Sequence, residues 1–290
     1  MNKALLNQVF RDSSLQKKFA TYGYVIVPDL LNKEEIQQLT DLFSASAKQF
    51  TESFHTTHFS NNVNYKQQVH DSICSVAFPK AAPYLNNFMP LFGNFMIKNP
   101  DPNVAMDLHA DWAYVDEREY TSAAIWIPLV DTNVENGCFG LIEGSHKITN
   151  DIRGPLIQQS SRNRDLVWEK KHGKHIPLKA GDAIIYNHRL LHFSPPNKSK
   201  LPRPAFNLTV VPKHVPLVHY CMPEGTNEIL VYEVRDSEFY IRYNHFQKPE
   251  TGILATTLPK STIKFIDPLM ENFRALQFKN RIKNWLGWKK

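Results

Sequence analysis

Gly181-Asp-Ala-Ile-Ile-Tyr-Asn-His-Arg-Leu-Leu-His192-Phe-Ser194 is the stretch on which the fold turns. A Gly-Asp turn opens it, a β-branched and aromatic run follows, and it closes on histidines and a small polar residue. Such a run, bounded by turn residues, reads as a strand. Outward from it stand two more strand candidates, Ala123-Ala-Ile-Trp-Ile-Pro-Leu-Val-Asp131 and Ala205-Phe-Asn-Leu-Thr-Val-Val211. Asn136-Gly137 and Glu143-Gly144 supply turns between them. No helical pattern alternates with these strands, which argues against a parallel doubly wound sheet. A mainly β sandwich or jelly-roll barrel with flanking helices fits better.

Around that core, placed at about 91–213, the chain reads as one unit over residues 1–290, with no repeat or Gly/Ser linker to divide it. Residues up to about 90 read as helical support around one strand, Tyr22–Asp29. A helix follows Leu30, with Asn32 as N-cap and Glu35 three residues on, and Ile36, Leu39, Leu42 and Phe43 recur at helical spacing. From about 214 the chain is less patterned and ends in a helix over Pro268–Trp288. At 42% hydrophobic and 12% aromatic residues the chain can bury a core, which excludes disorder as its dominant state.

Ala123–Val130, the longest apolar run, falls well short of the roughly 20 residues a bilayer-spanning helix needs. Met1–Phe10 has no apolar core of signal-peptide length. Cys74, Cys138 and Cys221, odd in number and far apart, suit neither a disulfide framework nor a CxxC metal site. A soluble protein of a reducing, cytoplasmic compartment is expected. The net charge is +6, and residues 260–290 hold eight basic groups against Asp267 and Glu271. The surplus therefore belongs to the tail, and nucleic-acid binding by the body is not expected. That basic, amphipathic segment (about 260–290) either packs on the domain or makes peripheral contact with an anionic membrane.

Three pieces carry chemistry. In an extended Asp107-Leu-His-Ala-Asp-Trp112, His109 and Asp111 point to the same side and can share a metal, although His-x-Asp by itself is a weak pattern. His192 at the end of the Gly-Asp strand could add a third ligand. His188 competes with it, and His188-x3-His192 would be a zinc pair on a helix, but the β-rich run preceding it argues for a strand. Two histidines and one carboxylate leave open positions suited to non-haem Fe(II). Arg203 could hold a dicarboxylate in two parallel hydrogen bonds, with Ser194 as a further donor; alone, it would read as an exposed loop cation beside Pro202 and Pro204.

Together these pieces resemble the phytanoyl-CoA dioxygenase family of Fe(II)/2-oxoglutarate oxygenases. The resemblance runs from Phe19-Ala-Thr-Tyr-Gly-Tyr-Val-Ile-Val-Pro-Asp-Leu-Leu31 through His109-Ala-Asp111, Ile125-Trp-Ile-Pro-Leu-Val-Asp131, Glu135-Asn-Gly-Cys138 and Glu143-Gly-Ser-His146 to His192-x-Ser194 and Arg203. Glu143 departs from the proline often found before Gly-Ser-His in that family. The resemblance implies a double-stranded β-helix, with iron on His109, Asp111 and His192. It also implies 2-oxoglutarate on Arg203 and Ser194 with Trp126 lining its pocket, dioxygen as second co-substrate, and His146 as a structural residue. The implied reaction hydroxylates a C–H bond and releases succinate and CO2. An intact Asp111 favours that outcome, since halogenases of the family carry a small residue there.

The substrate is expected to be a small or lipid-like molecule. Thr149–Pro177, with Arg153, Arg162, Arg164 and Trp168, reads either as a lid whose arginines meet an anionic substrate or as a solvated excursion. Trp112–Tyr120 is expected at the pocket mouth. Two other functional classes stay open: a jelly-roll binding module without turnover, and a cupin-type enzyme that does not use 2-oxoglutarate.

Overall fold

The computed structural model describes residues 8–46, 52–149, 152–157, 162–236, 238–243, 249 and 253–263. Helix α1 (Ser13–Tyr22) is capped by Asp12, whose side chain accepts from the Leu15 amide, and ends at Gly23 with φ +88°. Strand β1 (Tyr24–Val27) leads to helix α2 (Lys33–Ser46). The expected capping box forms there: the Glu35 amide donates to Asn32 Oδ1 and the Asn32 amide to Glu35 Oε2, each at 2.9 Å. Strand β2 (Phe54–Thr56), helix α3 (Val63–Ala81) and strand β3 (Phe88–Lys98) complete the first third of the chain.

The expected single N-terminal strand is thus two, β1 and β2, and both belong to the main sheet. That sheet also holds β5 (Ala123–Pro128), β8 (Ala183–Asn187) and β10 (Arg203–Pro212), in the order β1-β8-β5-β10-β3-β2. A smaller sheet has the order β4 (Met106–His109), β9 (His192–Ser194), β6 (Phe139–Leu141), β7 (Lys174–Ile176). Pairing in both is antiparallel. Two facing antiparallel sheets backed by helices make the jelly-roll architecture read from the sequence.

Alternation along the central strands divides the core in two. Ile125, Ile127, Ile185, Phe206 and Leu208 face helices α2 and α3, where Leu39, Phe43 and Ile73 meet Phe95. Ala124, Trp126, Ile184, Tyr186 and Ala205 face the small sheet and pack on Phe139, Leu141 and Ile176. Both faces are covered, so β5, β8 and β10 are buried along their whole length. Beyond residue 214 the chain builds a third sheet that its sequence pattern did not announce, β11 (Leu217–Cys221), β12 (Glu228–Val234) and β13 (Ile253–Pro259), together with the short helix α4 (Phe239–Arg242). The helix expected over Pro268–Trp288 lies outside the described residues. Among the described residues no helix is long and apolar enough to cross a membrane.

Gly181 shows how tightly the Gly-Asp turn is tied in. It adopts φ +87°, and a Cβ there would stand 2.5 Å from the Leu31 carbonyl oxygen. The Asp182 carboxylate then accepts from the Asp29 and Lys179 amides at 2.9 Å. Gly181→Ala is expected to lower the unfolding free energy by about 2 kcal/mol, combining left-handed strain with a backbone clash. Urea denaturation of the two proteins measures the difference.

Candidate metal centre and adjoining cavities

The small sheet places the two histidines. In the antiparallel β4–β9 pair His109 lies directly opposite His192, so both side chains leave the same face. Their ring centroids are 4.2 Å apart. Each imidazole is oriented through Nδ1, which donates to a carbonyl two residues earlier: His109 to Asp107 at 2.7 Å and His192 to Leu190 at 2.9 Å. A carbonyl only accepts, so the proton resides on Nδ1 and Nε2 keeps its lone pair for a metal. Phe139 stacks on the His192 ring at 5.2 Å and 7°. Burial, then the adjacent His109 ring, pushes His192 down to about 4, which keeps it neutral at physiological pH.

Asp111 completes the group. Oδ1 is 3.7 Å from His192 Nε2, and Oδ2 accepts from the Tyr186 hydroxyl at 2.7 Å. Burial alone would raise this carboxyl. His192, His188, His109 and the Tyr186 hydroxyl outweigh it and hold Asp111 below the usual carboxylate range. Donor atoms of His109, Asp111 and His192 all lie within 4.8 Å of one another. This group alone, among the described residues, has the makings of a metal site. His188 is outside it: fully buried, it binds Ser122 Oγ through Nδ1 at 2.8 Å. His146 is a framework residue, buried beneath Gly23 with Nε2 3.3 Å from the Ala20 carbonyl.

Two cavities adjoin the group and share His109, Phe54, Met96 and Met106 on their walls. The inner one, about 390 Å³, brings together His192, Trp126, Ser194 and Arg203. Arg203 is 3% exposed and lies 5.4 Å over the Trp126 ring. Its one described hydrogen bond is from an Nη to the Met96 carbonyl at 3.3 Å, and Nε has no partner among the described residues. Burial pushes the guanidinium down to about 10, and among the described residues only the Cys138 thiol, not a carboxylate, offsets the effect. A buried cation in that condition calls for an anionic ligand.

Two residues of this region escaped sequence reasoning. Lys98, directly opposite Arg203 across β3–β10, is 1% exposed. Its Nζ donates to Ser194 Oγ at 2.6 Å and to the Ser194 and Pro195 carbonyls, which leaves the serine's own proton to donate elsewhere. Burial, then Arg203, pushes Lys98 down to about 7. A lysine closing the apolar run Phe88–Lys98 was the visible signal. Tyr186 was visible only as a strand residue, although period-2 alternation puts it on the face opposite Ile185.

The lid reading of Thr149–Pro177 is corrected at Arg153 and Trp168. Arg153 does not meet a substrate: fully buried, it forms a bidentate pair with Glu117 at 2.6 and 3.0 Å, and Nε donates to the Asp111 carbonyl at 2.5 Å. Trp168 is buried behind the small sheet with Leu108, Ala110, Leu191 and Phe193. The side chains of Arg162 and Arg164 lie outside the described residues. From Trp112–Tyr120, Trp112 and Tyr114 do line the outer cavity, while Glu117 turns beneath it to Arg153.

Residues 19–205 match the family described as phytanoyl-CoA dioxygenase (PhyH). A Dictyostelium discoideum phytanoyl-CoA dioxygenase domain-containing protein 1 homolog is 30% identical over 152 residues, which cover 50% of this chain and 52% of that protein. An Arabidopsis thaliana phytanoyl-CoA dioxygenase is 32% identical over 123 residues, 40% of this chain and 42% of that protein. The chain thus spans about half the length of the curated relatives it matches. In architecture it is similar to HygX from Streptomyces hygroscopicus, crystallised with nickel and 2-oxoglutarate bound. That likeness has a TM-score of 0.52 at 13% identity, covering 70% of this chain and 88% of that one.

The Arg153–Glu117 pair makes the Asp111 carbonyl part of a buried ionic unit. Glu117→Gln is expected to cost about 3–5 kcal/mol, because Arg153 is then a buried charge without its partner. Arg153→Met with Glu117→Leu should recover most of that loss. The double variant should nonetheless bind Co(II), a probe of the metal group, more weakly than the wild type, since it removes the Arg153 donor from the Asp111 carbonyl. Thermal unfolding and visible-band titration separate the two effects.

Proposed function

The chain belongs to the phytanoyl-CoA dioxygenase family, and from that premise we propose an Fe(II)- and 2-oxoglutarate-dependent dioxygenase that hydroxylates an unactivated C–H bond of a small molecule. The observation that carries the reading is a buried arginine with no carboxylate partner in a cavity that also opens on the two-histidine, one-carboxylate group. A binding module needs neither feature. A cupin-type enzyme without 2-oxoglutarate has no use for Arg203. A cytoplasmic setting, expected from the three widely spaced cysteines, is part of the same proposal.

The residues fit the groups the reading requires. His109 and His192 would offer Nε2 and Asp111 Oδ1 to iron, and three protein ligands on one face leave positions for a co-substrate and dioxygen. Iron with 2-oxoglutarate, when bound, supplies oxidative decarboxylation to succinate and CO2 coupled to oxygen insertion. Arg203 would receive the distal carboxylate through its fork of N–H groups, with Ser194, steadied by Lys98, as a further donor and Trp126 fixing the guanidinium plane. Tyr186 keeps one Asp111 oxygen engaged, so the other stays directed at the metal position. Met96 and Met106, shared by both cavities, and Phe139 of the inner one would give the site apolar walls. The C–H bond would approach from the outer cavity, past His109.

Asp111→Ala is expected to reduce succinate release to background, and Arg203→Met to raise the 2-oxoglutarate dissociation constant about 100-fold, the worth of a lost charge-assisted pair. A succinate-release screen over amino acids, acyl thioesters, lipids and nucleotides measures activity. Anaerobic titration with Fe(II) and 2-oxoglutarate measures binding by the visible charge-transfer band. Full activity in Asp111→Ala would remove that residue from the metal site.

A further inference from the structure

We propose that the outer cavity selects an uncharged, ring-bearing substrate; the reaction rests on the oxygenase reading, but the binding preference does not. The cavity is about 760 Å³ and its inner end is formed by His109 and Asp111. One wall is built of rings. His58 stacks on Phe92 at 5.1 Å and 19°, Trp112 meets His58 edge-on at 5.5 Å, and Tyr114 meets Phe92 edge-on at 5.5 Å. Tyr240 stacks behind Phe92 at 5.8 Å, so the wall is supported from its far side. Such a surface takes a ring face or its C–H edge in offset or T-shaped contact, which a flexible chain exploits poorly.

The charge inventory decides the rest. Among the described residues lining this cavity there is no lysine, arginine or glutamate. Its one carboxylate, Asp111, is engaged with His192 and Tyr186. Its other polar side chains include the amides of Asn94 and Asn207, the former donating to Thr56 Oγ1 at 2.8 Å. The nearby cations are turned away: Arg153 is held by Glu117, and Arg203 faces the inner cavity. Lys66, 4% exposed, lines a separate cavity of about 210 Å³ on the other side of the His58–Phe92 stack, with Nζ on the Tyr243 carbonyl at 3.0 Å. Away from the metal-binding inner end, a carboxylate or phosphate in the outer cavity would lose its hydration without gaining a lysine or arginine, whereas neutral hydroxyl and amide groups can use the two asparagines.

Ligand-observed NMR on the full chain, with and without Fe(II) and 2-oxoglutarate under anaerobic conditions, tests this with four probes: benzyl alcohol, n-pentanol, benzoate and benzylammonium. Benzyl alcohol is expected to bind about tenfold tighter than either ion and severalfold tighter than n-pentanol. In Phe59→Arg, a change at a rim residue that is 48% exposed, benzoate affinity should rise about tenfold as a counter-charge is installed. Benzoate equal to or tighter than benzyl alcohol both in the wild type and in Arg203→Met, where the inner cavity offers no guanidinium, overturns the proposal, and its loss in Lys66→Met would then locate the counter-charge; a benzoate preference lost in Arg203→Met belongs to the inner cavity and supports the proposal. Binding of none of the probes, n-pentanol matching benzyl alcohol, or no gain of benzoate affinity in Phe59→Arg also overturns it. No charge-transfer band with the benzyl alcohol preference intact would sink the oxygenase reading and leave this one standing; a band with benzoate preferred would do the reverse.

Discussion

The antiparallel pairing of β4 with β9 is the constraint on which the rest of the site depends. It sets His109 against His192 in direct register, and a slip of one residue would send one imidazole to the opposite face. The neighbouring backbone makes the arrangement chemically specific. Each ring donates from Nδ1 to the carbonyl two residues before it, so strand geometry selects the tautomer as well as the position. The main sheet adds the third constraint by reaching across with Tyr186 to Asp111. Three ligand candidates are thus held from two sheets, so the site depends on how those sheets face each other.

Arg153 and Arg203 show what separates a charge paired within the fold from one that is not. Both are buried, at 0% and 3% exposure. Arg153 has a bidentate carboxylate partner and directs Nε to the backbone of the metal loop, so all three of its nitrogens are engaged within the fold. Arg203 has an aromatic ring beneath it, one long hydrogen bond and no carboxylate. Keeping such a group in the fold is unfavourable by itself, and a dianionic ligand would offset the cost. Lys98, held by three oxygens in the same corner, adds to the positive potential there.

Much of the fold was legible because its signals are local. The Asn32/Glu35 capping box, the Gly181-Asp182 turn and the strands at Ala123–Pro128, Ala183–Asn187 and Arg203–Pro212 each follow from a few adjacent residues. The third sheet was not legible although Leu217–Cys221 and Glu228–Val234 pair with each other across a turn closed by the Thr226 amide on the Pro223 carbonyl; neither run alternates cleanly between buried and exposed positions, so the strand signal is weak. The lid reading failed at Arg153 and Trp168 for a related reason. Composition reports that Arg153 and Trp168 are present, but it cannot report that Glu117 and Phe193 wait beneath them.

By itself the sequence determined the residue types of the metal group, the strand character of the segments that carry them and the candidate arginine, since these follow from short-range spacing and side-chain chemistry. Only tertiary structure decided that His192 and not His188 joins the group, that Arg203 is buried without a counter-charge while Arg153 has one, and that the outer cavity is walled by rings. Those facts depend on which side chains from remote segments come within a few ångströms. Burial then turns such proximity into energy, because a charge or donor shielded from water must find its partner inside the protein or in a ligand.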